Sequence, residues 1–91
     1  MSITIVGTQV LGMKDIIAKR LRECREQSGL TQIKVATYCG ITEKAYQNYE
    51  SAAREPKVSI LARIAKLYNV SVDYLIGMTD KPAPYSTPSK E

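Results

Sequence analysis

The sequence predicts an all-α fold, a compact five-helix domain organised around a helix-turn-helix pair. Three observations predict it. Apolar side chains recur at helical spacing in two longer stretches: Ile17, Leu21 and Cys24 in one, and Ile60, Leu61, Ile64, Ala65 and Tyr68 in the other. Glycine or asparagine stands where helical patterns stop, at Gly29, Asn69 and Gly77. From Gln32 to Glu50, two short helical patterns flank Gly40, Ile41 and Thr42. Ala36 falls where the two helices cross, Ile41 is an apolar plug, and the Thr42 hydroxyl can cap an orphan backbone N–H of the second helix.

Composition narrows the chemistry. Ninety-one residues make one small domain. Lys and Arg number 13 against 9 Asp and Glu, a net charge of +4, which suits a polyanionic partner. The chain has no Trp, Phe or His, so its core is built from Ile, Leu, Val, Ala and some of six Tyr. Without histidine there is no imidazole base and no imidazole metal ligand. Two cysteines, Cys24 and Cys39, are too few for a structural zinc site. Each falls on the apolar side of its helix, the pattern of a reduced core thiol. No glycine-rich phosphate loop and no coupled nucleophile and base are present. No run approaches the ~18 apolar residues of a membrane span. No signal-peptide pattern opens the chain. A cytoplasmic, non-enzymatic protein without metal or cofactor is expected.

Residues 1–12 form an N-terminal extension. Ile3 and Ile5 alternate with Ser2 and Thr4, the pattern of a short strand. One short strand is not stable alone. It is therefore disordered, lies on the domain, or pairs with a second copy. The helical domain spans residues 13–78. Helix 1 is expected over residues 14–27, with Asp15 favourable near its start and Lys19, Arg20 and Arg22 on its solvated faces. Leu30 precedes helix 2 (32–39), and Thr31 caps it. In helix 3 (43–50), Tyr46 and Tyr49 face inward, while Glu43, Lys44, Gln47 and Asn48 share the outward face. Helix 4 spans 58–68. Ser71 caps a last helix over 72–76. Residues 79–91 are expected to be a disordered tail, with three Pro, two Ser and one Thr among residues 80–91.

In order and spacing, Ala18-Lys-Arg-Leu-Arg-Glu-Cys-Arg, Gly29-Leu-Thr-Gln, Cys39-Gly-Ile-Thr, Tyr46-Gln-Asn-Tyr-Glu, Arg54-Glu-Pro and Asn69-Val-Ser-Val-Asp-Tyr-Leu-Ile-Gly resemble the lambda-repressor-like Cro/Xre family of bacterial and phage DNA-binding domains. The resemblance covers residues 17–77 and implies a lambda-repressor-like fold whose third helix enters the major groove. By that resemblance, Gln32 bonds a phosphate and braces the recognition helix. Glu43, Lys44, Gln47 and Asn48 match the base-reading face. Lys donates to guanine and Asn pairs with adenine, while Gln47 meets backbone or nothing. Glu43 either accepts from cytosine or repels wrong sequences. Arg25 and Glu50 match a pair tying helix 1 to the end of helix 3, and Arg25 also suits a phosphate. Thr31, Ser51, Arg54 and Lys57 match backbone-contacting positions. The chain departs from the family at Ala52, where glycine is common, and at Tyr46, where a branched aliphatic residue is. The turn after helix 3 is expected to differ, and a Tyr46 hydroxyl that reaches the surface could bond a phosphate.

The resemblance implies a sequence-specific transcriptional regulator, of the phage or prophage repressor type, binding double-stranded palindromic DNA as a homodimer. The dimer would form through helix 5, Tyr74, the N-terminal segment or DNA. A restriction-modification controller and an antitoxin that inhibits a toxin partner are the alternatives.

Overall fold

A short antiparallel hairpin precedes five helices. The computed structural model describes residues 4–6 and 9–84, with side chains from residue 12 onward. The elements are β1 (Thr4–Val6), β2 (Gln9–Leu11), α1 (Met13–Ser28), α2 (Gln32–Cys39), α3 (Glu43–Glu50), α4 (Val58–Tyr68) and α5 (Val72–Leu75). The strands pair in the register Thr4↔Leu11, Ile5↔Val10 and Val6↔Gln9. The N-terminal segment thus supplies its own strand partner where the sequence pattern suggested a single strand. Residues 85–91, most of the expected tail, lie outside the described residues, as do residues 1–3.

Local chemistry fixes the helix ends. The Asp15 carboxylate accepts from the Gly12 N–H at 3.3 Å before α1. Thr31, Thr42 and Ser71 cap α2, α3 and α5, accepting from the N–H groups of Lys34 (3.2 Å), Ala45 (3.1 Å) and Tyr74 (2.9 Å). Each cap satisfies a donor that has no partner within its helix. At the end of α2 the Arg63 guanidinium donates to the Cys39 carbonyl at 2.8 Å.

Each helix contributes to one core. Ile17, Leu21 and Cys24 of α1 meet Val35, Ala36 and Cys39 of α2, Tyr46 of α3, Leu61, Ile64 and Ala65 of α4, and Leu75 of α5. Neither cysteine forms a disulfide. Burial raises both thiol pKa values. α3 packs against both α1 and α2, while α4 closes the other side of α2 and carries α5.

Three readings of the sequence are corrected here. Arg20 is not a solvated surface residue. One guanidinium nitrogen donates to the Tyr74 carbonyl (2.9 Å) and the Thr79 carbonyl (3.1 Å), and another to Asp80 (3.1 Å). The same group stands 4.0 Å from the Tyr74 ring centroid. A planar, forked cation can stack and donate at once, which gives it a fastening role. Residues 79–82 do not leave the domain freely. Arg20 holds Thr79 and Asp80, and the Ser71 N–H donates to the Pro82 carbonyl at 3.0 Å. The turn after α3 keeps a left-handed residue despite its alanine, with Ala52 at φ 65°.

Two substitutions test these backbone positions. A left-handed conformation costs an L-residue about 1–2 kcal/mol, partly offset by the greater unfolded-state freedom of glycine. Ala52→Gly should therefore raise stability by about 0.5–1 kcal/mol, read as a higher urea midpoint at unchanged m-value. Gly77 has φ 86°, and a Cβ there would stand 2.7 Å from Ile16 Cγ2. Gly77→Ala should destabilise by about 2 kcal/mol or more in the same measurement.

Candidate nucleic-acid interface

A buried carboxylate anchors the outer helix pair. Glu50, the last residue of α3, is 5% exposed. Its Oε2 accepts from Arg25 Nε at 2.6 Å, and its Oε1 accepts from Arg25 Nη2 and Gln32 Nε2, each at 3.1 Å. The remaining terminal nitrogen of Arg25 donates to the Leu30 carbonyl at 3.0 Å. One carboxylate thus joins α1, α2 and α3. Burial pushes the Glu50 pKa up, but hydrogen bonds from Arg25, Tyr46 and Gln32 outweigh it and hold the carboxyl below its ordinary value. The bond to Glu50 likewise raises the Arg25 pKa. A bidentate arginine fork has narrow geometry, so the pair fixes the angle of α3 as well as holding charge.

The outward face of α3 projects from this anchor. Glu43 and Lys44 are exposed in its first turn, with Gln47 and Asn48 half-buried further along. The loop after α3 folds back on Asn48, whose carbonyl accepts from Ser51 Oγ (3.2 Å), the Ala53 N–H (2.9 Å) and the Arg54 N–H (3.1 Å). This brings the exposed Arg54 beside the last turn of α3. Lys57 is exposed at the N-cap of α4, after a buried Pro56. Thr31 is exposed at the α2 cap.

Gln32, Gln47, Glu50 and Ser51 line an open pocket with Arg22 and Arg25. Gln32 gives one of its two amide protons to Glu50, which leaves it a second to donate. Arg22 is the cation that the sequence reading left on a solvated face. It donates to the Glu50 carbonyl at 3.3 Å, in the lining of the pocket. Its signal was the three-residue spacing to Arg25, which puts both guanidinium groups on one face of α1. Tyr46 does not reach the surface: it is 0% exposed, and its hydroxyl lies 3.3 Å from that of Tyr68. A phosphate contact from Tyr46 is thereby ruled out. Burial is also the main reason the Tyr68 hydroxyl is pushed up to about 12.

The buried pair has an acid signature. A carboxyl whose folded pKa is depressed adds stability above its unfolded value, 4.5, and loses it as pH falls through the folded value. Glu50→Gln leaves Arg25 without its counter-charge and should lose on the order of 3 kcal/mol at pH 7. Urea titrations across pH 2–7 should show the gap to the parent closing as pH drops below about 4.5. A gap of constant size would show that the carboxylate charge contributes nothing.

Comparison with known proteins places this geometry. The helix-turn-helix family HTH_3 matches residues 21–75. The chain is 41% identical over 66 residues to the uncharacterized HTH-type transcriptional regulator YobD of Bacillus subtilis, covering 72% of this chain and 59% of that protein. It is 41% identical over 61 residues to the HTH-type transcriptional regulator ImmR of the same organism, covering 67% and 48%. It is 28% identical over 61 residues to the cryptic phage CTXphi transcriptional repressor RstR of Vibrio cholerae, covering 67% and 55%. The chain thus spans roughly half to three-fifths of the length of these relatives. Among solved structures, the P22 c2 repressor in complex with a synthetic operator superposes with a TM-score of 0.64 at 25% identity, over 66% of this chain and 91% of that one. The N-terminal DNA-binding domain of SinR from Bacillus subtilis gives 0.63 at 21% identity, over 67% and 90%, and shows the shared fold. With the buried Arg25–Glu50 pair bracing two short helices and a family match over more than half its length, this chain belongs to the Cro/C1-type helix-turn-helix family.

Proposed function

We propose that this chain is a sequence-specific DNA-binding transcriptional regulator that lays α3 in the major groove of double-stranded DNA. The observation that carries the reading is the outward polar face of α3, braced from behind by the Arg25–Glu50–Gln32 network, with Arg22 and Arg54 both near its last turn. The curated relatives named above are regulators or repressors, and the P22 c2 repressor is seen with an operator. Residues 13–78 form the DNA-binding domain in this reading, with residues 1–12 as an N-terminal extension.

Roles follow from side-chain chemistry. Lys44 donates to guanine O6/N7, Asn48 pairs with adenine N6/N7, and Glu43 accepts from cytosine N4 or excludes other bases. Gln47, lower on the helix and facing the pocket, meets base or backbone. Gln32, Thr31, Ser51, Arg54 and Lys57, joined by Arg22, hold phosphates. Those contacts position the protein without reading sequence and weaken as salt rises. Two copies on a palindrome would place their α3 helices about one helical turn apart, roughly 34–36 Å. The protein acts in the cytoplasm with DNA, as a binding module and not an enzyme. No helix among the described residues is long and apolar enough to cross a membrane.

Selection from random duplex DNA should yield a palindromic site. On that site, Lys44→Ala and Asn48→Ala should each lose about 1–3 kcal/mol of discrimination at separate base positions. Arg54→Ala and Arg22→Ala should weaken all sequences alike and reduce the salt slope by about 1 each. Fluorescence anisotropy at several salt concentrations measures both. Base-reading by α3 is wrong if Lys44→Ala and Asn48→Ala bind the selected duplex as tightly as the parent.

A further inference from the structure

The N-terminal hairpin stands apart from the charge that covers the rest of the chain. All 13 basic and 9 acidic side chains lie beyond Met13, and residues 1–12 carry none. Within that neutral segment β1 pairs with β2, each strand three residues long. β2 packs on α1, whereas β1 packs on β2. Among the described residues β1 has no second strand beside it, so its outer backbone N–H and C=O groups form an open edge. Lysine or proline commonly blunts such an edge, and residues 1–12 contain neither. Ile3, Thr4, Ile5 and Val6 are four β-branched residues in succession, the type that favours extended backbone. A two-stranded ribbon is marginal by itself, and further strands stabilise it.

We propose that β1 is a self-pairing edge: it docks antiparallel on β1 of a second copy of this chain, joining two hairpins into one four-stranded sheet and two domains into a homodimer. Two arguments select a second copy as the occupant. An antiparallel pair of identical strands is self-complementary about a twofold axis and closes on itself. With the axis at Ile5, Thr4 of one copy lies opposite Val6 of the other. The second argument is charge. Each copy carries a net +4, so charged surfaces brought together repel, while the neutral segment lets two copies meet without placing like charges side by side. Position is favourable too. Gly12, where the hairpin joins α1, stands about 20 Å along that helix from Arg25, which grips the end of α3. Pairing at the hairpin therefore leaves the outward face of α3 free. Use of this dimer on palindromic DNA rests on the reading of α3 as the DNA-contacting helix, whereas the dimer itself does not. Three-residue strands bury little surface, so the dimer is weak, and a duplex with two half-sites strengthens it by holding two copies close.

The test uses the full chain, first without DNA. Sedimentation velocity from about 5 to 500 µM should show the parent passing from monomer to dimer. Ile5→Lys and Ile5→Glu each set like charges across the axis. Each should stay monomeric over that range, with the helical circular dichroism of the parent, and an equal mixture of the two should recover the dimer. Ile5→Cys should cross-link between copies under mild oxidation at least about tenfold faster than Val10→Cys, which sits on the strand against α1. The cross-link decides alone if the charged variants fail to fold. A parent that remains monomeric overturns the proposal, as does an Ile5→Lys that dimerises like the parent, a mixture that recovers nothing, or equal cross-linking from the two cysteine variants. On a palindromic duplex selected by the parent, Ile5→Lys should lose about tenfold in cooperative filling of the second half-site, while affinity for a single half-site holds. If the parent selects no duplex, the DNA reading fails and the sedimentation and cross-linking still decide the dimer. If it selects one while monomeric in solution, and Ile5→Lys fills both half-sites alike, the hairpin inference fails and the DNA reading stands.

Discussion

A single buried carboxylate sets the geometry of this domain. Glu50 sits at the C-terminal end of α3, where the dipole of its own helix disfavours negative charge. Taking it out of water adds a further penalty. Only a dense set of donors makes the position tenable, and those donors come from different helices. Arg25 supplies two and Gln32 one. Because the donors must converge, the helices that carry them must converge too. Specific placement is what such a network gives, more than net stability.

The same residues that hold α3 from within border its outer surface. Arg25, Gln32 and Glu50 line the open pocket together with Arg22, Gln47 and Ser51. The interior and the proposed DNA-facing side are therefore not separate systems. Gln32 illustrates this: one amide proton is spoken for inside, and the other is left to donate. A further constraint acts at the far end of the domain. Arg20 gathers the end of α5 and residues 79–80 onto α1, so the chain leaves the helical body in a fixed direction.

Much of the fold was legible because short-range rules agree with one another here. The caps Thr31, Thr42 and Ser71 each precede an apolar pattern of helical period, and a glycine or asparagine ends α1, α2 and α4. Helices α2, α3 and α4 occupy the spans their patterns indicate. The hairpin was half legible. Gly7 and Thr8 separate two short apolar runs, a hairpin spacing, but three residues in β2 are too few to show alternation. For the outward face of α3, periodicity settles which side chains point away from the core, and says nothing of which base any of them meets.

The sequence by itself determined the five helices, their core faces and the outward row Glu43, Lys44, Gln47 and Asn48, because these depend on spacing within one helix. Only the tertiary structure decided the rest. Arg20, Arg22 and Arg25 look alike as neighbours on α1. One fastens the C-terminal segment, one borders an open pocket, and one is spent on a buried carboxylate. Tyr46 and Tyr68 lie 22 residues apart and share no local pattern, yet their hydroxyls meet. Ala52 adopts a left-handed backbone that its own chemistry disfavours. For the arginines and the tyrosines the partner comes from a distant part of the chain, and such a partner leaves no trace in local spacing.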